Sequence, residues 1–292
     1  MRTHPTILFL FPATLACALL APQFLRGEPV PVRHTEGLVH GFLLLRDLEG
    51  KVVAEGDLTQ NAVGKIVTTR VTYHFKDGSL HDETAVFSQS RTFCLLKYHL
   101  AQKGPSFPRP QDMTVDAEKG EVAVSYTDDE GKERVINDHL DLPLDLANGI
   151  VLTVLKNIRP SDAPRKVSML AATPKPLLVK LQITPDGDEA FRIGESQHKA
   201  SRYQAAVEIQ GIKGWFAHLM GKQPPPTRVW ILSGAAPAFV KSEGPFCMDC
   251  PVWRTELASP TWQEASVAKS NTSTNRFGHR AILFSYLAGP AR

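Results

Sequence analysis

Alternation of apolar and polar residues with a period of two dominates the chain from Gly37 to Thr127. In the stretch IVTTRVTYHF, one set of alternate positions is mostly apolar and the other is more polar. The first set is Val67, Thr69, Val71, Tyr73 and Phe75, and the second is Ile66, Thr68, Arg70, Thr72 and His74. Because successive side chains of a strand point to opposite faces, the pattern predicts β-strands with one buried and one wet face.

Tight turns separate these alternating segments. Asp77–Gly78 is a preferred pair for a two-residue type I′ turn, so residues Val67 to Gln89 are predicted to form a hairpin. Glycines at Glu49–Gly50, Lys119–Gly120 and Glu130–Gly131 interrupt the alternation in the same way. We therefore expect antiparallel strands that follow one another in sequence order.

One segment has a different period. Between Pro143 and Ile158 the apolar residues recur three and four positions apart, which predicts one amphipathic helix near residues 143–158, running through Gly149. Pro143 suits a first helical turn, and Asp141 is placed to contribute to its cap. The apolar positions are Leu144, Ala147, Ile150, Val151, Val154, Leu155 and Ile158.

Strand patterns return in the second half of the chain. Residues 37–142 and 165–258 are thus two β-rich halves, joined by the helix within one β-rich domain at 28–258. A single continuous sheet would satisfy the same pattern. The predicted fold class is mainly β: a large curved antiparallel sheet or open half-barrel with one amphipathic helix.

Four stretches carry a resemblance to known proteins. They are HFKDGSLHDETAVFSQ, the helical segment after DLPLDLANG, KASRYQAAVEIQG, and TRVWILSGAAPAFVKSEG. In their order and strand pattern they resemble uncharacterised exported bacterial proteins classed as domains of unknown function. That architecture is similar to the half-barrels of periplasmic lipoprotein carriers. The resemblance implies a fold and an envelope compartment, and it carries over no catalytic residue.

The two ends of the chain differ from the β-rich domain. Residues 1–27 combine Arg2 with an apolar stretch from Ile7 to Ala21, which predicts a signal peptide and an exported protein of the periplasm or cell envelope. A noncleaved anchor and a lipoprotein modified at Cys17 are the alternatives. Residues 259–292 include a Ser-, Thr- and Asn-rich stretch and are predicted to form a flexible tail. No later segment has the length and apolarity of a membrane-spanning helix.

Charge and motifs exclude several functions. The 33 basic and 30 acidic side chains are interspersed, with a net charge of +3, so no basic run predicts nucleic-acid binding. The chain has no GxxxxGK[ST] motif, no strand-linked GxGxxG motif and no GxSxG elbow. The sequence predicts no cofactor, and catalysis is disfavoured.

The cysteines raise a separate question. Cys247 and Cys250 form a CxxC motif between Pro245 and Pro251, in a loop rather than at a helix N-terminus. A local disulfide is the favoured interpretation, with unpaired thiols, redox chemistry or a metal site as alternatives. Cys94 is predicted to lie in the core, on the strand face that carries Tyr98.

The hairpin offers a metal site. If Asp77–Gly78 are the two loop residues, His74 pairs with His81 across the strands, and Glu83 lies diagonally near His74 on the same face. Two imidazoles and a carboxylate can form a facial metal site. The alternative is a solvated pair of histidines, and a change of one residue in loop length would destroy the arrangement.

The leading functional hypothesis is a noncatalytic envelope protein that holds an apolar or amphiphilic ligand, such as a lipid, on the concave face of its sheet. The candidate ligand-binding residues are Val71, Tyr73, Val207, Ile209 and Trp230, all of which could instead be core. The alternatives are a metal-dependent enzyme using His74, His81 and Glu83, and a purely structural envelope protein.

Overall fold

The computed structural model describes residues 29–128, 130–162, 164–171, 175–193, 195–208 and 224–258. Within these residues the chain forms fourteen strands and one helix. The strands are β1 (Val39–Arg46), β2 (Val52–Val63), β3 (Ile66–Phe75), β4 (Leu80–Gln89), β5 (Phe93–Lys103), β6 (Gln111–Asp116), β7 (Glu121–Thr127), β8 (Glu133–His139), β9 (Arg165–Ala171), β10 (Leu177–Ile193), β11 (Ser196–Glu208), β12 (Thr227–Leu232), β13 (Ala238–Gly244) and β14 (Trp253–Leu257). The helix, α1, is Val151–Lys156.

All the described strands belong to one antiparallel sheet. Its order is β8-β7-β6-β5-β4-β3-β2-β1-β14-β13-β12-β11-β10-β9. Strands β1–β8, here called the first arm, and strands β9–β14, the second arm, are each paired in sequence order. The pairing of β1 with β14 joins the arms and sets Leu43 opposite Leu257. The predicted large antiparallel sheet is confirmed, and the two β-rich halves are parts of that one sheet, which is open between β8 and β9.

The main hydrophobic core receives side chains from both arms. Phe87, Tyr98 and Val124 of the first arm and Leu181 and Tyr203 of the second belong to one buried cluster. The sheet therefore curves so that both arms pack on a common interior, which is its concave, inner face. Apolar burial of this kind is the main favourable contribution to folding.

A second buried cluster occupies the inner face where β1–β3 meet β14. It contains Leu45, Tyr73, Phe75, Phe107 and Trp253. The rings of Phe75 and Trp253 lie 5.2 Å apart in an edge-to-face arrangement. The alternation predicted for β3 is thereby confirmed, since Val67, Thr69, Tyr73 and Phe75 are buried while their neighbours face outward.

The β3–β4 hairpin exists, but its predicted register was wrong by one residue. The amide of Gly78 donates to the carbonyl of Phe75, and the amide of Phe75 donates to the carbonyl of Ser79. This is a three-residue loop with Gly78 at φ 84°, a type I turn followed by a left-handed residue, rather than the two-residue type I′ turn. Tyr73 therefore lies opposite His81, and His74 lies opposite Leu80.

The predicted helix at 143–158 is much shorter than expected. Helix α1 begins only at Val151 and ends at Lys156, because Gly149 has φ +68° and Leu146 forms a bridge with Ser168 of β9. The expected cap by Asp141 is also wrong, since Ile150 precedes the helix without a side-chain cap. Of the apolar positions, Ala147, Ile150, Val154, Leu155 and Ile158 are nevertheless buried in the main core, Val151 is partly buried against it, and Leu144 is exposed.

The segment before the helix covers the end of the second arm. Asn148 donates through Nδ2 to the carbonyl of Leu170 and accepts through Oδ1 from its amide, both at 2.8 Å. The amide of Ala147 donates to the carbonyl of Ser168, and the amide of Ser168 donates to that of Asp145. The outward backbone groups of Ser168 and Leu170 in β9 are satisfied in this way, which protects this part of the edge against pairing with another chain.

Both ends of the chain predicted from sequence lie outside the described residues, namely the signal peptide at 1–27 and the tail at 259–292. In the part of the chain that the structure does describe, no helix has both the length and the apolarity needed to cross a bilayer.

Candidate functional site

A cavity of about 340 Å³ lies on the inner face and is lined by both arms. Its wall is mostly aliphatic and includes the start of helix α1 and the loop between β13 and β14. The aliphatic lining includes Leu100 and Met113 from the first arm and Met169, Val179, Leu181 and Val207 from the second. A second depression, of about 610 Å³ over β4–β8, carries the charged residues Lys97, Asp116, Glu121 and Asp138, which suit a solvated surface.

Glu83 is the carboxyl group of the apolar cavity. Glu83 lies at the same alternate positions of β4 as the buried residues Ala85 and Phe87, so its side chain points to the inner face. Its partner on β5 is Leu100. The Tyr98 hydroxyl donates to Glu83 Oε1 at 2.7 Å. Glu83 keeps some accessible surface, and that surface belongs to the cavity wall. Burial raises the pKa of Glu83, although the Tyr98 hydrogen bond opposes the shift.

His81 lies two residues earlier on the same face. Its side chain is buried, and its ring is 4.9 Å from the ring of Phe246 and 5.9 Å from that of Tyr73. The Gln102 amide nitrogen lies 3.0 Å from His81 Nδ1. Because an amide nitrogen only donates, Nδ1 accepts this hydrogen bond and the ring proton lies on Nε2. Burial lowers the pKa of His81 to about 4, so the imidazole is neutral at neutral pH.

Gln102 connects His81 to the loop that borders the cavity. Its Nε2 also donates to the carbonyl of Phe246 at 3.0 Å, and its Oε1 accepts from Gln111 Nε2 at 2.7 Å. Gln102 is itself almost fully buried. This chain of amides fixes the position of His81 and of Phe246 relative to the sheet.

The loop Pro245–Cys250, here called the disulfide loop, joins β13 to β14. The structure brings Cys247 and Cys250 together in a disulfide with Cα atoms 5.0 Å apart. Cys247 lines the cavity, whereas Cys250 is buried in the second cluster. The disulfide therefore ties the cavity wall to the core.

Cys94 does not lie in the core as predicted. A register shift between Val86 and Phe87 in the β4–β5 pairing changes the phase of β5. Phe93 and Leu95 are buried instead, and Cys94 is a half-buried free thiol beside Thr92.

The structure does not bring the three predicted metal ligands together. His74 is exposed on the outer face, while His81 and Glu83 share the inner face, because the observed register pairs His81 with Tyr73 and not with His74. Among the residues that the structure describes, no group of three His, Cys, Asp or Glu side chains is arranged to hold a metal ion.

The five predicted ligand-binding residues fall in different places. Val207 lines the cavity, whereas Val71 and Tyr73 pack with the second cluster. Trp230 lies between Val229 and Ile231, which are in the main core, and thus faces the other side of the sheet. Its Nε1 donates to Glu189 Oε2 at 2.8 Å, and Lys241 Nζ lies 4.2 Å from the ring centroid. Ile209 lies outside the described residues.

Comparison with known proteins gives one structural likeness. No family model matches the chain, and no curated protein matches it. The fold is similar to the crystal structure of a β-barrel-like protein of domain of unknown function DUF1849 from Brucella abortus. The TM-score is 0.41, the sequences are 11% identical, and the match covers 80% of this chain and 97% of that one.

Proposed function

We propose that the protein is a noncatalytic, exported envelope protein that holds an apolar or amphiphilic ligand in the cavity between the two arms. The cavity carries the proposal. Its volume of about 340 Å³ lies within the range of small-molecule sites, which is roughly 300–1,000 Å³. Its lining is mostly aliphatic, with a few polar groups that can orient a ligand, as is typical of such sites.

The polar groups of the cavity suit binding better than acid–base catalysis. A general base works best when its pKa lies near the operating pH, and burial moves the pKa of His81 to about 4. The Nδ1 atom of His81 is engaged by Gln102, and Glu83 Oε1 is engaged by Tyr98. These hydrogen bonds support a role in holding and orienting a bound molecule.

Two features support export. Residues 1–27 have the basic start and apolar stretch of a signal peptide. The disulfide between Cys247 and Cys250 fits an oxidising compartment such as the periplasm. Fractionation of cells that produce the full chain tests this part of the proposal, and recovery in the cytoplasm with intact residues 1–27 would contradict it.

The binding proposal is tested with a small apolar fluorophore, N-phenylnaphthylamine, added to the purified protein. We expect saturable binding with an increase in fluorescence. Val179 lines the cavity, and its neighbour Leu178 is exposed on the opposite face of β10, so the two form a matched pair. Val179→Trp fills the cavity and should weaken binding at least about tenfold, whereas Leu178→Trp should leave it unchanged.

Thermal unfolding of both variants shows whether they remain folded. Equal binding by the two variants, or no binding by the wild type, would remove the cavity as the ligand site. Native mass spectrometry of the protein purified from the periplasm provides an independent readout, since a bound lipid would leave on denaturation.

A further inference from the structure

One oxygen of the Glu83 carboxyl group in the cavity has no hydrogen-bond partner among the described residues. Among the described residues, Tyr98 is the side chain that hydrogen bonds Glu83, and it contacts Oε1. No buried side-chain oxygen or nitrogen in that part of the chain is without a partner. Oε2 is therefore not sealed inside the protein, and the accessible surface of Glu83 lies in the cavity wall.

No positive charge faces this carboxyl group from the described cavity wall. The titratable groups near it are His81 on β4, Tyr98 on β5 and Tyr73 on β3. From the opposite side, the start of α1 contributes Val151, and β9–β11 contribute aliphatic side chains. Among the described residues, an ionised Glu83 would thus have no cationic partner, and an unpaired charge in an apolar cavity is strongly unfavourable.

We propose that Glu83, as a neutral carboxyl group positioned by Tyr98, recognises the polar end of a neutral amphiphile by donating a hydrogen bond from Oε2 to a carbonyl oxygen. The ligand class is an acyl ester, with its hydrocarbon chain against the aliphatic wall. This inference rests on the proposed function, because it assigns the ligand class of the same cavity. The burial that raises the pKa of Glu83 supports the protonated form.

The test compares three probes with the same ten-carbon chain: decanoyl glycerol, decanoate and decylamine. Each is titrated against bound N-phenylnaphthylamine near neutral pH. We expect the ester to displace the fluorophore at the lowest concentration. Decanoate should bind more weakly, because its negative charge finds no cation in the described wall.

Two variants of Glu83 separate the effect of hydrogen bonding from the effect of side-chain length. Glu83→Gln keeps a hydrogen-bond donor and an acceptor for Tyr98, and it should bind the ester about as well as the wild type. Glu83→Met has a similar length but neither group, and it should weaken ester binding about tenfold. Binding of the ester by the wild type should fall as the pH is raised and Glu83 ionises, whereas binding by Glu83→Gln should stay constant.

Three results would overturn the inference. Tightest binding of decylamine, lost in Glu83→Gln, would mean that an ionised Glu83 binds an ammonium group. Tightest binding of decanoate would refute the argument that the described part of the wall offers no cation to a carboxylate. Unchanged ester affinity in a folded Glu83→Met protein would mean that Glu83 does not contact the ligand. Failure of N-phenylnaphthylamine itself to bind is a different result, because it refutes the proposed function.

Discussion

Acid should destabilise this protein through His81, and His81→Gln should remove that effect. The imidazole is buried among the rings of Phe246 and Tyr73, and its Nδ1 accepts from Gln102. Protonation would place a charge there and remove the acceptor. Glutamine is never charged in this pH range and offers its own carbonyl oxygen to Gln102.

The magnitude follows from the two pKa values. The ordinary value is 6.5, and burial lowers the pKa of His81 to about 4 in the folded protein. At 1.36 kcal/mol per pH unit, the difference amounts to about 3 kcal/mol. The unfolded chain takes up the proton first, so this stability is present above pH 6.5 and is lost as the pH falls towards 4.

The assay is urea unfolding, followed by tryptophan fluorescence, at several pH values from above 6.5 down to about 4. The measured quantity is the difference in unfolding free energy between His81→Gln and the wild type. It should shift by about 3 kcal/mol in favour of the variant across this range. Glu83 has a raised pKa and acts in the opposite direction, but it is present in both proteins and cancels in the difference to first order.

A control variant is provided by His74→Gln, because His74 is exposed on the outer face of the adjacent strand. It shows how much of any change in unfolding free energy comes from replacing a histidine that is not buried. If His81→Gln and the wild type lost stability in parallel on acidification, the imidazole would not be a buried neutral group, and the argument would fail.

Three further variants test the fold. Gly149→Ala should lower the free energy of unfolding by about 1–3 kcal/mol more than Gly64→Ala does. Both glycines have φ above +60°, but only at Gly149 would a Cβ meet a side chain, that of Ala85 at 2.8 Å. Equal unfolding free energies of the two variants would contradict this. Replacing both cysteines of the disulfide loop by serine should cost about 2 kcal/mol and abolish the effect of reductant on stability. An unchanged urea midpoint would show that the bridge constrains little. Lys180→Met should cost about 3 kcal/mol, because Lys180 pairs with the fully buried Asp145, and adding Asp145→Asn should recover part of the loss. No recovery in the double variant would mean that the charge of Asp145 is not the cause.

Strand alternation made most of the sheet predictable from sequence. Buried and exposed positions alternate in β3 as its residues predict, because an open sheet has one dry and one wet face. The pairing of β1 with β14 was not predictable in the same way, since it joins residues more than two hundred positions apart and depends on tertiary packing. Local pattern therefore left open whether the two halves form one sheet.

The helix shows where periodicity misleads. Apolar residues from Ala147 to Ile158 are buried in the core or packed against it as a helical period requires, yet only Val151–Lys156 is helical. Gly149 has a left-handed backbone, and Asn148 pairs with β9 instead of continuing a helix. A segment that packs on a core from one side acquires the same spacing whether it is a helix or a series of turns.

The hairpin that carries the candidate site was predicted from the sequence, but its register was not, because the register depends on the length of the loop. Asp77–Gly78 occurs both in two-residue turns and in three-residue loops that end in a left-handed glycine, and the two alternatives differ by one residue in register. In the observed loop, Asp77 Oδ1 accepts from the amide of Ser79 at 2.9 Å, and Gly78 is the left-handed residue.

The face to which each residue belongs could be read from the alternation within its own strand, β3 for His74 and β4 for His81 and Glu83. Glu83 shares the phase of Ala85 and Phe87, which are apolar and buried, so its carboxyl group had to point inward whatever the turn. His81 has the same phase, whereas His74 alternates with Tyr73 and Phe75 and had to point outward. Applied strand by strand, this rule contradicts a site that includes His74. It predicts instead a histidine and a carboxyl group on the dry face. Burial keeps the imidazole of His81 neutral and raises the pKa of the Glu83 carboxyl group.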